Sequence, residues 1–221
     1  MKPQISIGLF REGNTDARLL TSIIKRTFDS VSFEYGDTIV ISHIQTIEVK
    51  QRKFVDAMTN AAKKCMEQYG IAILCVHTDA DSPTDEIAMR YKIEPALNKI
   101  RKMKDNSCKL IVPVIPVQMS EAWMLADKSL LKQYIVTSKS DQELGINKTP
   151  ESISNPKQVI EEAIRIARKG LPKRRRKNFK IGELYESIGV NISLENLRQL
   201  PSFRKFEDNV RNAFRELKYL N

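Results

Sequence analysis

Acidic side chains follow three apolar stretches of this chain, at the points where strands are expected to end. They are Glu12 and Asp16 after residues 5–10, Asp79 and Asp81 after residues 71–76, and Glu121 after residues 110–117. Carboxylates that gather in one place repel one another unless protons or cations neutralise them. An all-oxygen set of ligands suits the hard cations Mg²⁺ and Mn²⁺. The pattern therefore predicts a Mg²⁺ or Mn²⁺ site held by these five carboxylates.

The first 135 residues alternate between strand and helix patterns, and this alternation would bring the acids together. Strands are expected near 4–10, 38–47, 71–77 and 110–117, with helices near 15–28, 51–69, 84–104 and 121–134. Such alternation favours a mainly parallel sheet with helices on both faces. The carboxyl ends of parallel strands share one edge, where ligand crevices form. The prediction is an α/β fold of the Rossmann-like kind with its site at that edge.

The pattern changes near residue 136, where amphipathic helices separated by polar loops replace the alternation. The chain is therefore expected to divide into an α/β domain, 1–135, and a small C-terminal helical appendage, 136–221. Residues 168–180 carry eight basic side chains and no acidic one. The densest part of this segment consists of Lys173, Arg174, Arg175, Arg176 and Lys177. It is expected either to hold phosphates without sequence preference or to be a solvated linker.

The charge balance points to an anionic partner. Lys and Arg number 37 against 27 Asp and Glu, a net charge of +10. This excess favours nucleic acid first and anionic membrane surfaces second, although a basic protein without such a partner fits as well. No apolar run approaches the ~20 residues that span a bilayer. The three scattered cysteines predict a reducing cytoplasmic location without disulfides, and two histidines without a C-x-x-C motif argue against a zinc site.

Several of the acids also have a purely structural interpretation. Asp16 would favour the dipole of a helix capped by Asn14 or Thr15, and Glu121 would do the same on a helix capped by Ser120. Asp81 precedes Ser82 and Pro83, which is typical of a helix start.

Capping explains the remaining two acids poorly, so the predicted site is anchored on Glu12 and Asp79. If the chain is still extended after Asp79, the carboxylates of Asp79 and Asp81 face the same way. Gly13 can take positive φ and lets the backbone pass close to a ligand. His77 is either a catalytic base or a packed histidine at a strand end.

Two motifs resemble the Toprim fold, namely Glu12-Gly13-x-x-Asp16 and Asp79-x-Asp81. Toprim domains occur in topoisomerases, primases and the overcoming-lysogenization-defect (OLD) nucleases, and the E-G-x-x-D form is most similar to the last group. Two longer stretches, 112–127 and 200–207, are similar to a bacterial Toprim-like family known as domain of unknown function 4276. That second resemblance covers nearly the whole chain.

The resemblance implies a metal-dependent nuclease that cuts DNA, or RNA as a second choice, in phage defence beside an ATPase partner. It makes Glu12 a metal ligand or general acid/base, makes Asp16, Asp79 and Asp81 metal ligands, and makes Glu121 a further ligand. Glu12, Asp79 and Asp81 would carry the catalysis. OLD-type nucleases also use a lysine, for which Lys109 and Lys128 are candidates here.

The sequence also fits two other functions. The chain lacks G-x-x-x-x-G-K-[ST] and so has no P-loop ATPase of its own. It could be a non-cleaving nucleic-acid-binding or regulatory subunit of an ATPase complex. It could also be another Mg²⁺-dependent phosphoryl-transfer enzyme, acting on small phosphate esters. Assembly into a homo-oligomer fits any of these functions.

Overall fold

A computed structural model describes residues 4–13, 15–34, 39–170, 172 and 179–217. In it, four strands form a single sheet in the order β2-β1-β3-β4, and all three neighbouring pairs are parallel. The strands are β1 Gln4–Phe10, β2 Val40–Thr46, β3 Ile73–His77 and β4 Leu110–Val114. Every residue of β3 is buried, as its unbroken apolar sequence predicts for an inner strand covered on both faces.

Helices cover both faces of the sheet, which confirms the predicted fold class. One face packs against α2 Phe54–Tyr69, α3 Glu86–Ala88 and α4 Glu94–Lys102. The opposite face packs against the other helices, namely α1 Asp16–Phe33, α5 Glu121–Met124, α6 Lys128–Ile135, α7 Pro156–Ala167, α8 Leu184–Asn191, α9 Leu194–Leu197 and α10 Pro201–Glu216. Short 3₁₀ turns lie at Pro150–Ser152 and Ile181–Glu183.

The helix expected near 84–104 is interrupted. Between α3 and α4 lies a π-helical segment, Met89–Ile93. Pro95 stands in the first turn of α4, and proline cannot donate the backbone hydrogen bond that a continuous α-helix requires there. A π-helical segment inside a helix frequently accompanies a functional site.

The strand ends are level with one another, so the loops after them begin at one edge. Phe10 lies opposite Val76, and His77 lies opposite Val114. Beyond the strands the backbone pairing continues, because Ala80 N–H donates to the carbonyl of Pro116 at 3.1 Å. The loops that follow β3 and β4 are therefore held side by side. β4 lies at the edge of the sheet, where its single proline, Pro113, is tolerated.

The C-terminal helices share the apolar core of the sheet. Trp123 on α5 packs edge-on against Phe203 of α10, with ring centroids 5.2 Å apart, and its indole N–H donates to Ser202 Oγ at 2.8 Å. A Cβ at Gly189 of α8 would overlap the carbonyl oxygen of Leu19 on α1, so only glycine permits that approach. The domain boundary at residue 135 stays a prediction.

Two further predictions concern the basic segment and membrane-spanning helices. The basic run Lys173–Lys177 lies outside the described residues. Within the described ranges, no helix combines the length and the apolar character needed to cross a membrane.

Candidate active site at the carboxyl edge of the sheet

Acidic side chains at two helix starts and one loop meet around Ser120. The backbone N–H of Ser120 donates to Asp79 Oδ1 at 2.9 Å. Its hydroxyl oxygen lies 3.3 Å from Asp16 Oδ1 and 3.4 Å from Glu121 Oε2. One hydroxyl proton can satisfy only one of these two carboxylates at a time. Three of the five predicted acids thus come together, one from each of the segments that follow β1, β3 and β4. We call Asp16, Asp79 and Glu121 the acidic cluster.

His77 lies against the acidic cluster and is almost wholly buried, with 1% of its surface exposed. Its Nδ1 lies 3.1 Å from the carbonyl oxygen of Val114, which can only accept, so Nδ1 carries the proton. Nε2 faces Asp16 Oδ2 at 3.5 Å and Asp79 Oδ1 at 3.7 Å. Within the described part of the chain this buried nitrogen makes no hydrogen bond of normal geometry.

The ionisation of these groups is set by burial and by their mutual contacts. Burial lowers the pKa of His77, but the contact with Asp16 and the negative charges of Asp79 and Asp16 outweigh it, so the pKa is raised. Burial is also the main cause that raises the pKa of Asp79 to about 7, aided by the charges of Asp16 and Glu121 and opposed by His77. For Asp16 burial acts in the same upward direction, but the close contact with His77 and its positive charge, together with hydrogen bonds from Ser120 and Gly13, leave the pKa lowered. Asp16 is therefore ionised near neutral pH, whereas Asp79 titrates there.

The turn after β1 fixes the carboxylate of Asp16. The backbone N–H of Gly13 donates to Asp16 Oδ2 at 3.1 Å, and a Cβ at position 13 would overlap that oxygen. Of the described glycines only Gly70 and Gly145 have positive φ, so Gly13 does not use the left-handed conformation that glycine can adopt. The missing Cβ of Gly13 leaves room for the Asp16 carboxylate in this position. Thr15 begins α1 but makes no side-chain cap, and Asn14 lies outside the described residues.

Glu12 stands apart from the acidic cluster and pairs with Lys92. Lys92 Nζ lies 3.2 and 3.1 Å from the two carboxylate oxygens of Glu12 and donates to Thr78 Oγ1 at 2.8 Å. The Thr78 hydroxyl in turn donates to Glu12. Lys92 belongs to the π-helical segment, and its ammonium lies 5.7 Å from the ring centre of Phe54.

Lys92 was missed by the sequence reasoning, because no motif surrounds it. The two lysines that the sequence suggested lie elsewhere. Lys109 Nζ donates to the carbonyls of Ile100 and Met103 at the end of α4, at 2.7 and 2.8 Å. Lys128 lines a different cavity at the start of α6, beside Asp127 and Thr149. Only Lys92, of these three, contacts a predicted site residue.

Asp81 does not share the orientation of Asp79. Its backbone has φ 49°, so the chain is no longer extended and the expected alternation of side chains fails. The N–H of Asp81 donates to the carbonyl of Gln118 at 2.8 Å, and its side chain is exposed. Asp81 is not a helix cap either, since α3 begins at Glu86 after Asp85.

Glu121 is bound by a residue from the C-terminal region. It is 6% exposed, and its Oε1 accepts a hydrogen bond from the hydroxyl of Tyr185 on α8. The expected capping by Ser120 is wrong: Ser120 makes no side-chain cap, and its hydroxyl faces the carboxylates instead. Tyr185 was also missed, because 64 residues separate it from Glu121.

The donor chemistry of the cluster fits a hard divalent cation, since carboxylate oxygens are the ligands that Mg²⁺ and Mn²⁺ prefer. In the arrangement seen here, however, no group of three or more His, Cys, Asp and Glu side chains among the described residues is placed to hold a metal ion. The carboxylates are instead bonded to Ser120, Tyr185, Lys92 and Gly13. Coordination of one ion would require at least three of these side chains to move into positions around it.

The fold and the cluster define an α/β protein with an acidic site at the carboxyl edge of a parallel sheet. Residues 11–211 match the family described as domain of unknown function (DUF4276), and the chain belongs to this family. The match includes all the site residues from Glu12 to Tyr185. No curated protein and no solved structure gave a match to the chain.

Proposed function

We propose that this protein is a Mg²⁺- or Mn²⁺-dependent nuclease that hydrolyses phosphodiester bonds of DNA, with RNA as the second substrate class. The observation that carries the proposal is the meeting of Asp16, Asp79 and Glu121 around Ser120. Burial and the neighbouring carboxylates hold the pKa of Asp79 at about 7. A bound cation would offset the repulsion between these closely spaced carboxylates.

The proposed roles follow from where each side chain lies. Asp16, Asp79 and Glu121 would hold the cation, which when bound activates water and neutralises charge on the phosphate. Glu12, with 40% of its side chain exposed, is open to a substrate and suits a general acid/base. Lys92 would bind substrate phosphate, which competes with Glu12 for its ammonium group. Asp81 stays a predicted ligand, placed on the exposed side of the loop.

Features of the sequence support nucleic acid as the substrate class and a role beside an ATPase in phage defence. The order of Glu12-Gly13-x-x-Asp16 after the first strand and Asp79-x-Asp81 after the third resembles OLD-type Toprim nucleases. The net charge of +10 favours a polyanionic substrate. The chain has no P-loop motif, so an ATP-dependent trigger in phage defence would come from a separate ATPase.

The test uses purified protein with plasmid and single-stranded DNA in Mg²⁺, Mn²⁺ or EDTA. Glu12→Gln and Asp79→Asn should abolish a cleavage that needs the divalent cation. Asp208→Asn is the matched control, because Asp208 is a 68% exposed carboxylate on α10. Cleavage that persists in both site variants would refute the proposal.

A non-cleaving regulatory subunit is the second candidate, and one observation favours it. The carboxylates of the described site are bonded to protein groups and are not arranged around an ion. Such a site would be inactive until a partner rearranged it. Metal binding without cleavage by the isolated protein, together with co-purification of an ATPase, would favour this function.

A further inference from the structure

A cavity of about 410 Å³ opens beside the acidic cluster, between α7 and the turn that precedes α8. Its wall is formed chiefly by Ile164, Phe179, Ile181 and Tyr185. Exposed charged side chains border it, namely Lys157, Glu161 and Lys180. The volume lies within the range of about 300–1,000 Å³ that is usual for small-molecule sites. We call it the side cavity.

The side cavity and the acidic cluster share structural elements. Tyr185 lines the cavity and also donates its hydroxyl to Glu121. Thr15 lines the cavity and directly precedes Asp16, whose carboxylate contacts Ser120. A ligand in the cavity would therefore lie next to a phosphate bound at the cluster.

We propose that the side cavity receives one unpaired nucleobase of the strand whose phosphodiester lies at the acidic cluster. This inference rests on the proposed nuclease function and defines its substrate further. Phe179, which is partly exposed, offers aromatic surface against which a base can stack. The guanidinium of Arg168 lies 4.6 Å from the ring centre of Phe179, which helps to hold that ring in place.

The charges at the rim of the side cavity fit a nucleotide better than a purely apolar ligand. Lys157 and Lys180 are placed to meet the phosphates on either side of the base. Glu161 is an acceptor for the amino groups that adenine, cytosine and guanine carry and that thymine and uracil lack. Because a base in a cavity must leave the duplex stack, the inference assigns single-stranded or locally unpaired nucleic acid as the substrate.

The first experiment measures the binding of oligonucleotides to the protein under conditions in which a metal-dependent nuclease cannot cleave them. Single-stranded oligonucleotides with 2-aminopurine at each position in turn are titrated with the full-length protein in EDTA, and their fluorescence is recorded. One position should change its emission on binding, and an abasic site there should weaken binding. Phe179→Leu retains apolar packing but removes the ring, and should weaken binding by about 5- to 100-fold.

Two further variants guard against misfolding. Lys157→Glu changes an exposed side chain of α7, so a loss of affinity there cannot come from a damaged core. Phe33→Ala removes a 64% exposed aromatic ring elsewhere on the surface and should leave affinity unchanged.

The outcomes separate this inference from the proposed function. A position-specific signal that Phe179→Leu removes, in a protein that cleaves nothing, supports the cavity assignment and refutes the hydrolysis. Equal cleavage of duplex and single strand, unaffected by Phe179→Leu and by the abasic site, overturns the cavity assignment and leaves the nuclease function standing. Oligonucleotide binding with no position-specific signal also overturns the cavity assignment.

Discussion

The hydroxyl of Tyr185 donates a hydrogen bond to Oε1 of Glu121, and this contact joins the C-terminal helices to the acidic edge of the sheet. Both residues are buried, at 2% and 6% exposure. The second oxygen of Glu121 faces Ser120, which in turn contacts Asp16 and Asp79. The C-terminal region therefore contributes directly to the geometry of the cluster.

Replacing Tyr185 by phenylalanine should destabilise the protein. The change leaves one oxygen of the buried Glu121 carboxylate without its partner, and an unsatisfied buried acceptor costs about 1–3 kcal/mol. Urea unfolding followed by the fluorescence of Trp123, the single tryptophan, measures the loss. Tyr91→Phe is the control, because Tyr91 is 64% exposed, and its effect should stay within about 0.5 kcal/mol. Equal effects of the two substitutions would show that the Tyr185 contact contributes nothing.

Without divalent cations, the free energy of unfolding should fall as pH rises from about 4 to 7. Burial raises the pKa of Asp79 from its ordinary value of 3.8 to about 7. In that window the folded state keeps a proton that the unfolded chain has lost, so stability declines with pH. His77, whose pKa is raised, adds a stabilisation present below 6.5 and lost as pH rises through its folded pKa. Asp16, whose pKa is lowered, acts oppositely, because its stabilisation disappears only as pH falls below 3.8.

Asp79→Asn tests the origin of this pH dependence. Asparagine keeps an oxygen for the N–H of Ser120 but cannot ionise. The variant should be more stable than the natural protein at pH 8, on the order of 1–3 kcal/mol, and similar to it near pH 4.5. Urea titrations in EDTA across this range give the comparison, with Asp208→Asn as the control. A natural protein of constant stability from pH 4.5 to 8 would contradict the assignment.

Adding Mg²⁺ or Mn²⁺ at pH 8 should raise the melting temperature. A ligand that binds only the folded state stabilises it by about 2.7 kcal/mol at a hundred times its Kd. The rise should be absent in Asp79→Asn and present in Asp208→Asn, and EDTA should reverse it. A shift of equal size in both variants would place the cation outside the acidic cluster.

Gly13→Ala should separate cation binding from folding. The added Cβ would overlap Asp16 Oδ2, but a side chain can move away, so the fold should lose little stability. The displaced carboxylate should abolish the Mn²⁺-dependent rise in melting temperature. Gly170→Ala is the matched control, because among the described residues nothing beyond its chain neighbours lies within 4 Å of the added Cβ. An unchanged Mn²⁺ response in Gly13→Ala would show that this position of Asp16 is not needed.

Lys92→Met and Lys109→Met should have opposite effects. Lys92 contacts Glu12, so its loss should reduce nucleic-acid cleavage at least tenfold while changing stability by less than about 1 kcal/mol, as for a partly exposed ion pair. Lys109 binds two carbonyls at the end of α4, so its loss should reduce stability by about 1 kcal/mol and spare activity. Cleavage rates and urea unfolding measure the two effects. If Lys92→Met lowered only stability and Lys109→Met lowered only cleavage, Lys92 would have no role in the site.

The sequence by itself determined the parallel sheet and its acidic edge. Apolar periodicity is a local property, and it fixes which segments become strands and helices. Once strands alternate with helices, parallel pairing brings the strand ends to one side, which is why Asp16, Asp79 and Glu121 meet as predicted. The match of residues 11–211 to the DUF4276 family extends along nearly all of this pattern.

Only the tertiary structure decided which other residues contact the predicted acids. Lys92 reaches Glu12 from a π-helical segment, and Tyr185 reaches Glu121 from α8, because packing brings together residues that no local spacing relates. Asp81 turns away because its backbone is left-handed, whereas a pattern of alternating side chains assumes an extended chain. Spacing in the sequence thus set the edge at which chemistry can occur, and long-range packing set the partners and charge state of each group there.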